Sequence, residues 1–462
     1  MPPERPGRVL AVVSSAVFMA SLDLFIVNIA LPDLARDFAG ASLAELSWVL
    51  NAYAIVFAAL LIPAGRIADR VGRRRAFLGG VVLFTAASAL CGVAPSVAAL
   101  VAARVLQAVG AAFLMPTSLA HLLPAFPPAK RPVAIAVWAA VGGVAAAAGP
   151  PLGGLLVEGS WRLVFLVNVP AGALAALAAA RVLRESRDPD ARRPDVAGGI
   201  LLAVAVGLLA LGLVQAPDWG WGAPATIACL AAAAVGVGAF AARCAAHPAP
   251  VVDLAMLRVR SYAAASLAGL LFTVAFAAML LGNVLLMTEL WGWSVLRAGA
   301  ALAPGPLAAA LASVPAGRLT ARVGQRAVAT AGCLLFAAGS AWTAWRVELA
   351  PAYAADLLPG LLVGGAGVGF ALAALTSAAA ASLPPERFAT GAAVFSTARQ
   401  IGAVLGVAVL VAILGERPGA DALEALRAGW WLQVGTAGAA AAAAVAIGRI
   451  AAPAPAAALA PS

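Results

Sequence analysis

The chain has 462 residues, 63% of them hydrophobic and only 11% charged, and its mean hydropathy is +0.99. Soluble domains average roughly a quarter charged residues, so this composition cannot cover a water-facing surface and points to an integral membrane protein. The net charge of +10 falls in short clusters between apolar runs, a topology signal rather than a nucleic-acid patch.

A helical span needs about 20 largely apolar residues. The first such run, 9–31, follows the basic stretch Met1–Arg8 and has no small-residue cleavage site at its end. It reads as a retained helix and not as a removed signal peptide. Thirteen more runs follow, at 48–65, 76–94, 97–117, 133–156, 163–180, 196–215, 224–242, 261–286, 299–317, 327–345, 357–382, 391–415 and 429–448. Each is expected to be a helix, because hydrocarbon satisfies no backbone hydrogen bond. The abundant Ala and Gly let such helices approach closely. The connections, of which 243–260 is among the longest, are too short for a soluble domain.

The basic residues test this count. With fourteen spans, 22 of them lie on the side of the N-terminus, and Arg36, Arg162, Arg297, Arg346, Arg417 and Arg427 lie on the other. Arg104 and Arg399 remain inside. The asymmetry predicts both termini in the cytoplasm. Trp161, Trp219, Trp221, Trp291 and Trp293 cluster near the outer boundaries, where interfacial anchoring explains them.

An internal repeat is visible. Gly65-Arg66-Ile67-Ala68-Asp69-Arg70-Val71-Gly72-Arg73-Arg74 follows the second span, and Gly317-Arg318-Leu319-Thr320-Ala321-Arg322-Val323-Gly324-Gln325-Arg326 follows the tenth. If each half has six helices, the second half begins at the ninth span, and spans seven and eight become an insert. The expected division is 1–185 for a first six-helix bundle, 186–260 for the two-helix insert and its linkers, and 261–462 for a second six-helix bundle with a short tail. In the first loop, Gly65 and Gly72 permit a tight turn, and Asp69 could accept hydrogen bonds at an adjacent helix N-terminus. A positive-inside anchor would explain Arg70, Arg73 and Arg74 but not the glycine spacing, so the loop is a gating candidate.

Only one of the 20 carboxylates, Asp23, falls inside a span. A carboxylate in hydrocarbon costs several kcal/mol unless it is paired, hydrated or protonated, which makes it a functional candidate suited to carrying a proton. Arg104 in the fourth span is equally costly when unpaired. Asp23, backbone carbonyls or a water cavity could each satisfy it. Asn28, Gln107, Asn168 and Arg399 are further polar groups within spans and are candidates for a cavity, although amides of this kind are commonly helix–helix glue. In the fifth span, Gly142, Gly149, Pro150, Gly153 and Gly154 remove backbone hydrogen bonds and side-chain bulk, which predicts either a kink or close packing. No metal or cofactor is expected. Cys91, Cys229, Cys244 and Cys333 lack CxxC spacing, and there are only two histidines. HExxH and Walker A motifs are missing as well.

These motifs together resemble the major facilitator superfamily. The Gly65–Arg74 loop is similar to its signature between helices two and three, and Arg104-Val105-Leu106-Gln107-Ala108-Val109-Gly110 resembles its RxxQG motif, with Ala108 in place of the usual Gly. Gly142 with Gly149–Gly154 resembles the antiporter motif of drug exporters. Asp23 through Pro32, Trp161–Pro170 and Thr397–Gly406 look like the first, sixth and penultimate helix motifs of the fourteen-span drug:proton antiporter family. The resemblance covers nearly the whole chain. It implies an all-α membrane fold of two six-helix bundles plus two inserted helices. It also implies proton-coupled export of amphipathic drugs, antibiotics or related small molecules, cations among them, across the bacterial cell membrane. The expected partners are the substrate, protons and the lipid bilayer, with no nucleic acid and a monomeric state. An importer or exporter of one metabolite on the same fold is the alternative; an intramembrane enzyme has no motif to support it.

Overall fold

The computed structural model describes residues 6–127, 130–188, 194–383, 388–415 and 419–448. Of the basic residues counted above, Arg5, Arg192, Arg193, Arg387, Arg417 and Arg449 lie outside the described residues. The first half contains α1 (Pro6–Asp37), α2 (Leu43–Val71), α3 (Arg73–Gly92), α4 (Val97–Ala125), α5 (Arg131–Gly159), α6 (Leu163–Leu166) and α7 (Asn168–Val182). Next come α8 (Val196–Trp219), α9 (Pro224–Ala246) and the short α10 (Leu254–Leu257). The second half contains α11 (Arg260–Leu285), α12 (Val295–Leu302), α13 (Pro304–Val323), α14 (Gln325–Arg346), α15 (Leu358–Ala381), α16 (Phe388–Leu414) and α17 (Gly419–Val445).

All fourteen expected spans are helical, and the differences are local. The sixth span is divided into α6 and α7, because Pro170 has no N–H to donate to the Leu166 carbonyl. The tenth is divided into α12 and α13, since Pro304 cannot donate to Ala300; Ala303 instead donates to that carbonyl over a tighter turn, at 3.2 Å. The ninth span ends and the twelfth begins in a π-helical turn, Leu286–Leu290 and Tyr353–Leu357. Among the described residues thirteen spans are long and apolar enough to cross a membrane. The last helix, α17, has the length, but it opens with Asp421, Glu424 and Arg427 and ends in mildly apolar alanine.

Capping fixes the helix starts. Ser42 and Glu45 form a reciprocal capping box at α2, and Ser96, Asp195 and Ser294 cap α4, α8 and α12. At the two repeated loops the chain reverses through Gly72 (φ 122°) and Gly324 (φ 87°), a conformation that L side chains rarely adopt. The repeat also sets helix packing. Gly80 and Gly110 let α3 and α4 touch backbone to backbone, as Gly332 and Gly367 do for α14 and α15.

The core shows how the halves meet. On the side away from the arginine-rich loops one continuous apolar cluster joins them, with Leu31, Val157 and Trp161 in the first half and Leu281, Trp291 and Trp430 in the second. On the arginine-rich side the core divides. Val13, Phe77, Leu114 and Leu122 pack in the first half, while Tyr262, Phe272, Phe336 and Leu375 pack separately in the second. The main bridge there is α2: Ile62 joins the second-half cluster, and the Ala58 carbonyl accepts from Thr397 of α16 at 3.1 Å. The seam is thus filled by one shared apolar cluster on one face and flanked by two separate clusters on the other.

The inserted α8 and α9 pair with each other and lean through α8 on α2 and α16. Their base is held by Asp195, buried at the start of α8, whose Oδ1 accepts from Arg243 of α9 and from the Gly198 backbone, each at 2.8 Å. Burial pushes this carboxyl up, but the hydrogen bonds and charge of Arg243 outweigh it and hold the carboxyl below the ordinary value. A depressed pKa in the folded state means that the contribution is present above the ordinary carboxylate pKa and is lost as pH falls through the folded one. Asp195→Asn keeps the capping oxygen but loses the charge. It is expected to lower the thermal midpoint of the purified protein by a few degrees at pH 7, with the difference shrinking as pH drops below 4, as read by differential scanning fluorimetry.

Candidate functional site

Four helices of the first half bring one polar cluster into its middle. Asp23 of α1 and Arg104 of α4 are both fully buried, at 0% exposure, and form an ion pair through Arg104 Nη1 and Asp23 Oδ2. The other carboxylate oxygen, Oδ1, accepts from Gln107 Nε2 at 2.8 Å and from Asn168 Nδ2 at 3.1 Å. Gln107 returns a carbonyl oxygen to Arg104 Nη1 at 2.7 Å. Arg104 and Gln107 lie three residues apart, which sets both on the same face of α4. Asn168 enters at the start of α7, where the proline break re-aims the chain.

Ser88, Phe165, Val49 and Tyr53 complete the cluster. Ser88 of α3 accepts from Gln107 and Asn168, both at 3.1 Å, and donates to the Phe165 carbonyl at 2.8 Å. Arg104 Nε donates to the Val49 carbonyl of α2 at 3.1 Å, and the guanidinium lies 4.1 Å from the centre of the Tyr53 ring. Of the arginine's nitrogens, Nη2 has no hydrogen-bond partner among the described residues. Removing one member of such a pair leaves an uncompensated buried charge, which costs about 3–5 kcal/mol. Each ion of the pair is therefore compensated by the other and by the amides, with only Arg104 Nη2 left over.

The other candidate residues fall elsewhere. Asn28 donates to the Leu24 carbonyl of its own helix at 3.1 Å and does not join the cluster. Arg399 of α16 is half-buried, packs its aliphatic stem on Gly269 of α11, and makes no hydrogen bond or ion pair to Asp23. In α5, a Cβ at Gly149 would lie 2.8 Å from Phe25 of α1, and one at Gly153 3.0 Å from Ile26. A Cβ at Gly154 would meet the Leu296 backbone of α12 at 2.8 Å, and Gly299 of α12 sits against the Pro150 carbonyl. The helix runs unbroken through Pro150 and Pro151. These glycines wedge α5 between α1 of its own half and α12 of the other, so close packing is what they provide here. Gly142 faces Ser21 of α1 more loosely, with a Cβ distance of 3.7 Å.

The loop after α2 has a different chemistry from the one expected. Asp69 does not cap the next helix; its Oδ1 accepts from Arg73 Nε at 2.8 Å. The cap comes from Glu185, beyond α7, whose carboxylate accepts from the Arg74 and Arg75 backbone at 3.1 and 3.3 Å. Gly72 leaves the room for it, since a Cβ there would lie 2.5 Å from the Glu185 oxygen. Gly65 leaves room likewise for Pro116 of α4. Arg73 N donates to the Ser186 carbonyl at 3.0 Å, and Arg74 donates to the Ala180 carbonyl at 2.7 Å. Arg70 is exposed. Glu185, Ser88 and Tyr53 were not singled out from the sequence. Ser88 had a signal: it follows Gly72 by the same sixteen residues that separate Ser340 from Gly324 in the repeat.

Comparison with known proteins agrees with this geometry. The family model described as Major Facilitator Superfamily matches residues 13–198 and 265–461, on either side of the inserted helices. The Multidrug resistance protein Stp of Mycobacterium tuberculosis (strain CDC 1551 / Oshkosh) is 38% identical over 402 residues, covering 86% of this chain and 74% of that one. The Tetracenomycin C resistance and export protein of Streptomyces glaucescens is 35% identical over 417 residues, covering 90% and 77%. Among solved structures, a bacterial homolog of the human lysosomal transporter Spinster, in an inward-facing and unoccupied conformation, has the same fold. It gives a TM-score of 0.67 at 18% identity, covering 95% of this chain and 96% of that one. With two six-helix bundles, two inserted helices and relatives named for drug resistance and export, this chain belongs to the major facilitator superfamily, in its drug-efflux branch, and is a transporter rather than an enzyme.

Proposed function

We propose that this efflux transporter exchanges protons for an amphipathic small molecule, with Asp23 as the proton carrier and Arg104 as its counter-ion. The observation that carries the reading is the buried Asp23–Arg104 pair in the middle of the first half. The transporter works in the cell membrane with both termini in the cytoplasm, as the arginine asymmetry favours. Residues 1–185 and 261–462 act as two rocking bundles with 186–260 as the insert, and one chain suffices for the cycle.

The cluster suggests how a proton is converted into motion. All three donors around Asp23, namely Arg104, Gln107 and Asn168, suit a carboxylate anion. A proton arriving on Oδ2 takes the lone pair that Arg104 Nη1 uses and breaks that contact. Arg104 then keeps the Val49 and Gln107 carbonyl oxygens and the Tyr53 face, so it stays held while the ionic tie of α1 to α4 is lost and only the Gln107 bond to Oδ1 remains between them. The same α1 segment supports the seam. Phe25 meets Phe276 of α11 edge-on with ring centres 6.4 Å apart, and Ile26 seats α5. A shift of α1 therefore reaches two of the contacts between the halves, that of α1 with α11 and that of α5 with α12. The Gly65–Arg74 loop moves with the first half, since Glu185, Ser186 and Ala180 anchor it there.

In the state described, Asp23 is closed to water and the apolar cores of the halves are separate on the arginine-rich side. On this reading that is the side of substrate entry, and the opposite state exposes Asp23 to take its proton. Asp23→Asn in everted vesicles is expected to abolish transport driven by a pH gradient while substrate exchange without a gradient persists; full retention of coupling would overturn the proposal. A second outcome separates the pair from its parts. Arg104→Ala is expected to destabilise the protein by about 3–5 kcal/mol, and the double variant Asp23→Asn/Arg104→Gln by clearly less, because no lone charge stays buried. Denaturant titration of the three purified variants reads this out.

A further inference from the structure

We propose that Arg399 is the receptor for an anionic group on the transported molecule, so that the preferred substrates are amphipathic organic acids rather than cations. This rests on the efflux reading above and adds the substrate's charge to it.

Charge accounting within the spans leads there. Asp23 is the one carboxylate among the described residues in the middle of a span, and it is committed to Arg104. Arg399 has no ion pair and no hydrogen-bond partner among the described residues, and its Nε is shut off from solvent. An unpaired guanidinium at that depth is costly and marks a pathway by default. Its place fits. On α16, Phe395, Gly402 and Gly406 face α11, where each approaches its backbone or Gly269. Thr397, on the opposite side of the helix, bonds Ala58 of α2. Arg399 shares a face with Ser396 and Ala403, and all three are half-exposed. That face lies between the α11 contact and the buried stripe of Gln400, Val404 and Val407. The guanidinium thus borders the seam on the arginine-rich side, where the cores of the two halves are separate.

The surroundings suit an amphipathic acid. Phe395, which packs with the Arg399 stem on Gly269, supplies apolar surface near the cation, and no described carboxylate pairs with it. A planar guanidinium offers a carboxylate or phenolate two parallel N–H donors, which a cationic drug could not use. A monoanion leaving as one proton enters also carries two positive charges inward in effect, so an inside-negative membrane potential assists every turnover.

The test uses three probes on one skeleton: 9-anthracenecarboxylate, its uncharged primary amide, and the cationic 9-anthracenylmethyl-trimethylammonium. Uptake into everted proteoliposomes of the full chain is followed by fluorescence under an imposed pH gradient and potential. The unmodified protein is expected to favour the acid over the amide by about tenfold or more, as charge-assisted bonding to Arg399 requires. Arg399→Gln is expected to bring that ratio to within about twofold, and Arg399→Lys to restore most of it. A preference for the cation, or an acid preference that survives Arg399→Gln, would overturn the assignment while leaving gradient-driven efflux intact. Transport of the probes that ignores the pH gradient in the unmodified protein would instead overturn the proton-exchange reading, and transport of none of them would overturn both.

Discussion

The fold is organised around one requirement: a carboxylate and a guanidinium placed where there is no water must satisfy each other. In a low-dielectric interior the attraction between Asp23 and Arg104 is large, but so is the cost of bringing them there. The remaining lone pairs and protons decide whether the arrangement holds. Gln107 bridges both ions, Asn168 donates to the carboxylate's far oxygen, Ser88 holds the two amides, and Val49 and Tyr53 hold the arginine. Five of the six crossings of the first half contribute to this cluster. The bundle is therefore tied together at its centre by polar groups and around them by small residues, since hydrocarbon offers no hydrophobic drive for helix association.

That central tie is linked mechanically to the seam. The motif glycines of α5 let its backbone sit against α1 on one side and α12 on the other. Side chains in those places would hold the halves apart. The pair at Asp23 and the wedge at Gly149 to Gly154 are separate in sequence but lie against neighbouring turns of α1, where Phe25 and Ile26 follow Asp23 directly. Whatever alters the hold of α4 on α1 is felt at α5 and α11 without a long relay.

The spans were legible because each is an uninterrupted apolar run, and a membrane helix needs little else. Asp23 and Arg104 stood out for the converse reason, as charges inside such runs. That they touch could not be read: the partner of a buried arginine depends on helix rotation, and backbone carbonyls were an equal candidate. Gln107 and Asn168 carried a weaker signal, because amides serve as helix glue everywhere. Asn28, of the same residue class, turned back to its own helix. The role of Asp69 was misread for a topological reason. The residue that caps α3 is Glu185, more than a hundred positions away, and only the return of α7 to the same side brings it there. Likewise a Gly-Pro-Pro run suggests a bend locally, whereas its packing partners belong to two distant helices.

The internal repeat explains why the work is divided unequally between the halves. Ser88 and Ser340 stand sixteen residues after their turn glycines, and each meets an amide from the last helix of its half, Asn168 or Gln433. Around Ser88 the neighbours are charged. Around Ser340 they are Asn283, Gly360 and Gly364, which leave a cavity of about 10 Å³, enough for one water molecule. The same pairing of a serine and an amide thus occurs in both bundles, with an ion pair beside it in one and neutral groups in the other. A carrier that moves charge at a single place needs only one such pair. A second buried pair would add the same desolvation cost without a separate task. Within the spans of the second half, Arg399 is left without a partner among the described residues, which is what would let a ligand complete it.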